Sequence, residues 1–126
     1  MTIKRIYLVF LIISMCVLLI GCSDKTLTFS GVSENWSVSY EVLIIENERE
    51  ITTANFKYTG SEAIPDKIEY SLDSMVEGTS TLDENGMLKI KGHNCSGCAL
   101  TTEEQEIKAT IKWNDNVDII DLKLKK

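Results

Sequence analysis

The stretch Trp36-Ser37-Val38-Ser39-Tyr40-Glu41-Val42-Leu43-Ile44-Ile45 decides the fold. Trp36, Val38, Tyr40, Val42 and Ile44 alternate with Ser37, Ser39, Glu41, Leu43 and Ile45. Successive side chains of a strand point to opposite faces, so this period of two commits one face to a core. The alternation blurs at Leu43 and Ile45, which predicts cover on both faces at that end. Glu46-Asn47-Glu48-Arg49-Glu50 follows as a charged turn.

The same period recurs on either side. Thr52, Ala54, Phe56 and Tyr58 share one face of 51–58, and Gly60 ends the run. Ile68, Tyr70 and Leu72 form the next set. Residues 74–82 are weaker, with Gly78 as a bulge or break. Asp83-Glu84-Asn85-Gly86 is a hairpin signal, because Asn-Gly suits positive φ. Met87 to Lys91 then returns with Leu88 and Ile90 inward, and Gly92 to Thr102 is expected to be a loop. Ile107, Ala109, Ile111 and Trp113 alternate again, and Asn114-Asp115-Asn116 turns the chain. In Val117 to Leu124 the apolar phase moves from Val117 and Ile119 to Ile120, Leu122 and Leu124, which predicts a β-bulge near Ile119-Ile120. Upstream, Leu27 to Ser30 is a short strand, followed by Gly31 and a polar break through Asn35.

Seven or eight short strands with frequent turns predict an all-β fold, an antiparallel β-sandwich that is immunoglobulin-like in the broad sense. A closed barrel is the structural rival. The antibody Cys…Trp…Cys arrangement is absent, since Cys95 and Cys98 lie only three apart. The inward phase of Trp36, Tyr40, Phe56, Tyr58, Tyr70 and Trp113 assigns these aromatics to the core.

The chain opens differently. Met1 to Arg5 carries two positive charges and no negative one, and Ile6 to Ile20 is apolar except for Ser14. That run matches a signal-peptide core and is shorter than the ~18–20 residues a spanning helix needs. Leu19-Ile20-Gly21-Cys22 resembles the lipobox of bacterial lipoproteins, with small Gly21 just before the cysteine. The resemblance implies cleavage before Cys22, a diacylglycerol thioether on it, and an anchor on the extracytoplasmic face of the cell membrane. It divides the chain into a signal peptide (1–21), a lipidated tether (22–26) and a β-domain (27–126). An uncleaved anchor, or a plain secretory signal with a chance cysteine, stays open beside it. Asp24 resembles an inner-membrane retention signal if the cell is Gram-negative, and means nothing if it is Gram-positive.

Short motifs at the two ends of the domain resemble those of small, mostly uncharacterised lipoproteins of Bacillus-type bacteria. They are Gly31-Val32-Ser33-Glu34-Asn35-Trp36 and Ile111-Lys112-Trp113-Asn114-Asp115-Asn116. The resemblance implies a surface lipoprotein and carries over no catalytic residue.

Charge narrows the partners. The chain has 13 basic and 19 acidic residues. Without Lys4 and Arg5 the cleaved form has 11 basic against 19 acidic, a net charge of −8. Nucleic acid demands Lys/Arg patches and is not an expected partner. Anionic headgroups repel such a surface, so the lipid on Cys22, not the protein face, is expected to hold the membrane. A protein or cell-wall partner fits better.

One constellation could carry chemistry: His93, Cys95 and Cys98. Cys16 leaves with the leader and lipid consumes Cys22, so Cys95 and Cys98 have each other and should oxidise outside the membrane. Alternatives are a redox pair, or a zinc or Cu(I) site with His93, Cys95 and Cys98 as three ligands. The βαβ context of a thioredoxin motif is missing. No Gly-x-Ser-x-Gly elbow or phosphate loop is found, so no catalytic residue is assigned, no cofactor is expected and the domain reads as non-enzymatic.

Overall fold

The alternation is realised as eight antiparallel strands. The computed structural model describes residues 2–17, 24–73, 76–97 and 99–125, with Val17 and His93 described by backbone alone. Helix α1 (Thr2–Val17) precedes β1 (Lys25–Val32), β2 (Trp36–Ile45), β3 (Arg49–Tyr58), β4 (Lys67–Leu72), β5 (Val76–Thr81), β6 (Met87–Ser96), β7 (Ile107–Trp113) and β8 (Asn116–Leu124). The apolar side chains of α1 are exposed, and among the described residues no helix is long and apolar enough to cross a membrane. The lipobox stretch 19–22 lies outside the described residues.

The strands form one sheet in the order β5-β4-β7-β8-β1-β2-β3-β6. The sheet folds over until β5 and β6, at opposite ends of the order, approach without pairing. The result lies between the sandwich and the barrel: two four-stranded halves around one core, joined at β8–β1. That joint is thin, with Phe29 opposite Leu124 and Ser30 opposite Lys123. The Lys125 N–H adds a bond to the Thr28 carbonyl at 2.7 Å. β2 pairs with β3 along its whole length, whereas the immunoglobulin arrangement places its second and third strands in opposite sheets.

Trp36, Val38, Tyr40, Val42 and Ile44 are all buried, as are Thr52, Ala54, Phe56 and Tyr58 from β3 and Ile107, Ala109, Ile111 and Trp113 from β7. Full burial of each large side chain contributes about 1.5–3 kcal/mol, which is why phase decides the fold. Trp36 packs edge-on against Tyr58 at 5.2 Å and against Trp113 at 5.4 Å. Tyr70 is only partly buried and leans on Phe56, with ring centroids 5.2 Å apart. On the outer surface Leu43 stands opposite Ile51, so the blurred end of β2 covers itself with a cross-strand apolar pair.

Three expectations are corrected. The Gly92–Thr102 loop begins late, because β6 continues to Ser96. It does so through a bulge: Thr53 pairs with Lys91 and Ile51 with Asn94, so Thr52 faces both Gly92 and His93. No bulge occurs in β8, whose register with β7 is unbroken from Trp113–Asn116 to Ile107–Leu122. Val117 and Ile119 simply point to solvent. Gly78 neither bulges nor breaks β5. It lies opposite Tyr70, where a Cβ would meet the phenol oxygen at 2.7 Å.

Strand directions give the molecule two ends. At the Lys25 end lie the chain's entry into β1, the 46–48 turn, residue 73, the 97–106 segment and the exit from β8. At the Trp36 end lie segments 33–35, 59–66, 82–86 and 114–115.

Candidate functional site

The sequence points to the tail of β6, at the Lys25 end. Cys95 sits there half-buried, in register with Glu50 of β3. Cys98 lies outside the described residues, as does Cys22, and His93 is placed only as a bulge residue of β6. Among the described residues no three metal-binding side chains come together.

What the fold does gather at this spot is a polar cluster that sequence reasoning missed. The Glu50 carboxylate accepts the Thr101 N–H at 2.8 Å and the Thr101 hydroxyl at 2.6 Å. Gly97 N–H reaches back to the Glu48 carbonyl at 2.9 Å. Together these bonds strap the 97–106 segment over the end of the core. Beneath it, burial pushes the Tyr40 phenol above its ordinary value, the Thr52 hydroxyl lowers it, and the Glu50 charge raises it further. Thr52 Oγ1 is itself buried with no hydrogen bond of good geometry, so its approach to Tyr40 is a loose one. It also faces Gly92, where a Cβ would collide with it. No local motif signals this cluster, since Glu50 and Thr101 are 51 residues apart. Its groups are engaged with one another, which makes it a strap and not a reaction centre.

A groove of about 680 Å³ runs beside it along Ile107, Leu122 and Leu124. Lys108 and Lys123 alternate there with Asp73, Glu106 and Asp121, so it presents no single sign of charge.

The Trp36 end is built from the two motifs noted above. Ser33 N–H donates to the Trp36 carbonyl at 2.8 Å, and the Trp36 N–H returns to Ser33 Oγ at 3.1 Å, closing the β1–β2 turn. Ser33 Oγ then donates to Asp118 of β8 at 2.7 Å. Trp113 ends β7 against Trp36, and Asn114 and Asp115, both at positive φ (45° and 65°), make the two-residue turn into β8. That turn type matches the right-handed twist of its strands. Gly31, Ser33, Trp36, Trp113 and the polar turn are thus one construction, joining the two halves of the sheet. Its neighbours interlock: Thr59 N–H donates to the Asn35 carbonyl at 2.8 Å and Tyr58 N–H to the Gly86 carbonyl at 2.9 Å. Trp36 Nε1 is buried there without a hydrogen-bond partner.

No protein-family model, curated protein or solved structure matches the chain.

Proposed function

We propose that this is a lipid-anchored protein of the extracytoplasmic membrane face, acting as a non-enzymatic binding module. The observation that carries the reading is the tight succession of leader and fold. A basic start and an apolar run end in Leu19-Ile20-Gly21-Cys22, and β1 begins at Lys25 with Leu27 already in the core. Only residues 23 and 24 separate the acylated position from the sheet. Two acyl chains suffice for stable anchoring where one is marginal. Within the same reading Cys95 pairs with Cys98, and the bond rigidifies the start of the 97–106 segment.

The test is Cys22→Ser in the producing cell, followed by membrane fractionation and labelling with a tagged fatty acid. The wild type is expected in the membrane fraction with label, and the variant in the soluble or secreted fraction without it. A variant that stays membrane-bound defeats the anchor.

A further inference from the structure

The sheet does not close between β5 and β6. β6 stands at one end of the strand order and pairs with β3 alone, and β5 stands at the other and pairs with β4 alone. The Asp83 N–H donates to the Met87 carbonyl at 3.0 Å and ties the start of β6 to the turn before it. Beyond Met87 no main-chain bond joins β6 to β5 among the described residues. From Leu88 to Lys91, ahead of the bulge at Gly92 and His93, β6 thus offers a regular open edge. Such an edge carries main-chain donors and acceptors that a second extended backbone satisfies in series. The core is thinly covered along the same line. Val38, Tyr40, Ala54 and Phe56 of β2 and β3 are buried, whereas Leu88 and Ile90 of β6 are only partly so, as are Tyr70 of β4 and Val76 of β5 across the gap.

The outward side chains beside this edge carry one sign. Lys89 and Lys91 are both exposed, and exposed Lys57 of β3 stands one residue pair away, opposite Met87. None of the three is ion-paired among the described residues. No carboxylate shares the outer surface of β3 and β6 with them, since the Glu50 side chain turns to Thr101. Glu41 is two strands from Lys91, behind Thr53; Glu84 lies in the preceding turn and Glu77 on β5, across the gap. A strand added to β6 would set its outward residues directly against Lys89 and Lys91, and cross-strand neighbours on one face are the pairs that interact. Lysine on an edge deters a neutral or cationic strand, the β6 edge of a second copy included, and favours one that brings carboxylates.

We infer that the β6 edge takes an extended acidic segment of a partner protein as an added strand. The main chain of that segment pairs with Leu88 to Lys91, its apolar side chains cover Leu88 and Ile90, and its carboxylates meet Lys89 and Lys91. The open backbone selects a polypeptide over a glycan, and the two lysines select an acidic one. This names the partner class of the binding module proposed above and rests on that reading, but not on the anchor.

The test uses full-length protein in nanodiscs of zwitterionic lipid and a fluorescent peptide of alternating Glu and Val, read by anisotropy. The same peptide N-methylated at every residue, and peptides of alternating Lys and Val and of Glu and Ser, serve as controls. The Glu/Val peptide is expected to bind, more weakly as salt rises, and to slow hydrogen exchange between Leu88 and Lys91, while each control binds about ten-fold more weakly or not at all. Lys89→Gln with Lys91→Gln should weaken binding about ten-fold or more. Lys112→Gln with Lys123→Gln removes the same charge from β7 and β8 and should leave binding unchanged. Equal loss from the two double variants, or equal binding of the N-methylated peptide, would reduce the effect to charge and overturn the inference. Binding of polyphosphate in place of the peptide would overturn it while keeping a binding module. Self-association of the protein that Lys89→Gln/Lys91→Gln abolishes would put a second copy on the edge and overturn it too. So would absence of peptide binding, which leaves the anchor standing; a Cys22→Ser protein that binds peptide but stays on membranes defeats the anchor alone.

Discussion

Gly31 lies closer to Ile120 than any side chain at position 31 permits: a Cβ there would stand 2.6 Å from Ile120 Cγ2 and 2.7 Å from the Asp121 carbonyl oxygen. β1 therefore crosses β8 on bare backbone just past the two residue pairs that join them. Gly31→Ala must push the halves of the sheet apart or displace backbone. A loss of about 2–3 kcal/mol is expected, read by urea unfolding. A variant as stable as the wild type would show that the crossing is loose.

The Glu50 strap makes a second prediction. Glu50→Gln keeps the shape but replaces two charge-assisted bonds to Thr101 by weaker ones. The expected cost is about 1 kcal/mol, since Glu50 is half-buried. Hydrogen exchange at the Thr101 amide should quicken while exchange within β2 stays slow. Unchanged protection at Thr101 would remove the strap from the account.

Tyr40 sets a pH dependence. Its phenol is raised above the ordinary 10.0 by burial first and then by Glu50. The folded state thus holds the proton more tightly than the unfolded chain does. Stability from this group is complete below the unfolded value and declines as pH climbs from about 10 through the folded value. Unfolding free energy measured from pH 8 upward should fall more steeply in the wild type than in Tyr40→Phe. Parallel curves would mean that Tyr40 is not the responsible group.

The β7–β8 turn can be improved. Asn114 and Asp115 both hold positive φ, which glycine adopts without a Cβ penalty. Asp115→Gly creates the preferred Asn-Gly pair and should stabilise by about 0.5 kcal/mol, seen as a higher Tm. Asp115→Val should lower it.

Thiol chemistry supplies the last prediction. Denatured wild-type protein without reductant should offer no reactive thiol at positions 95 and 98. Replacing both by Ser should cost about 2 kcal/mol or less, because so short a loop gains little from closure. Free thiols in the oxidised sample, or metal retained by the reduced one, would move the site to redox or metal chemistry.

Period two is enough to place the inward side chains of β2, β3 and β7, because burial of one face follows directly from strand geometry. It failed where backbone, not side chains, decides. Gly92 looked like a strand end but is the residue that lets β6 bulge past Thr52. Val117 and Ile119 looked like a change of phase because exposed apolar groups were read as inward ones. The order of strands, and with it the meeting of Glu50 with Thr101 and of Ser33 with Asp118, depends on pairings tens of residues apart that leave no local pattern. The two short motifs at the domain's ends were visible as letters, and their reason appears only when Trp36 touches Trp113.

The register of β1 has a mechanical meaning. β1 is bound to β2 by eight consecutive residue pairs, from Lys25–Ile44 to Val32–Ser37. A pull on the chain ahead of Lys25, resisted at the Trp36 end, acts along β1 and loads those pairs together in shear. The same pull at right angles would part them one after another. The entry strand is thus laid out to bear tension along its length, the direction in which a tethered protein is stretched when its outer end is held.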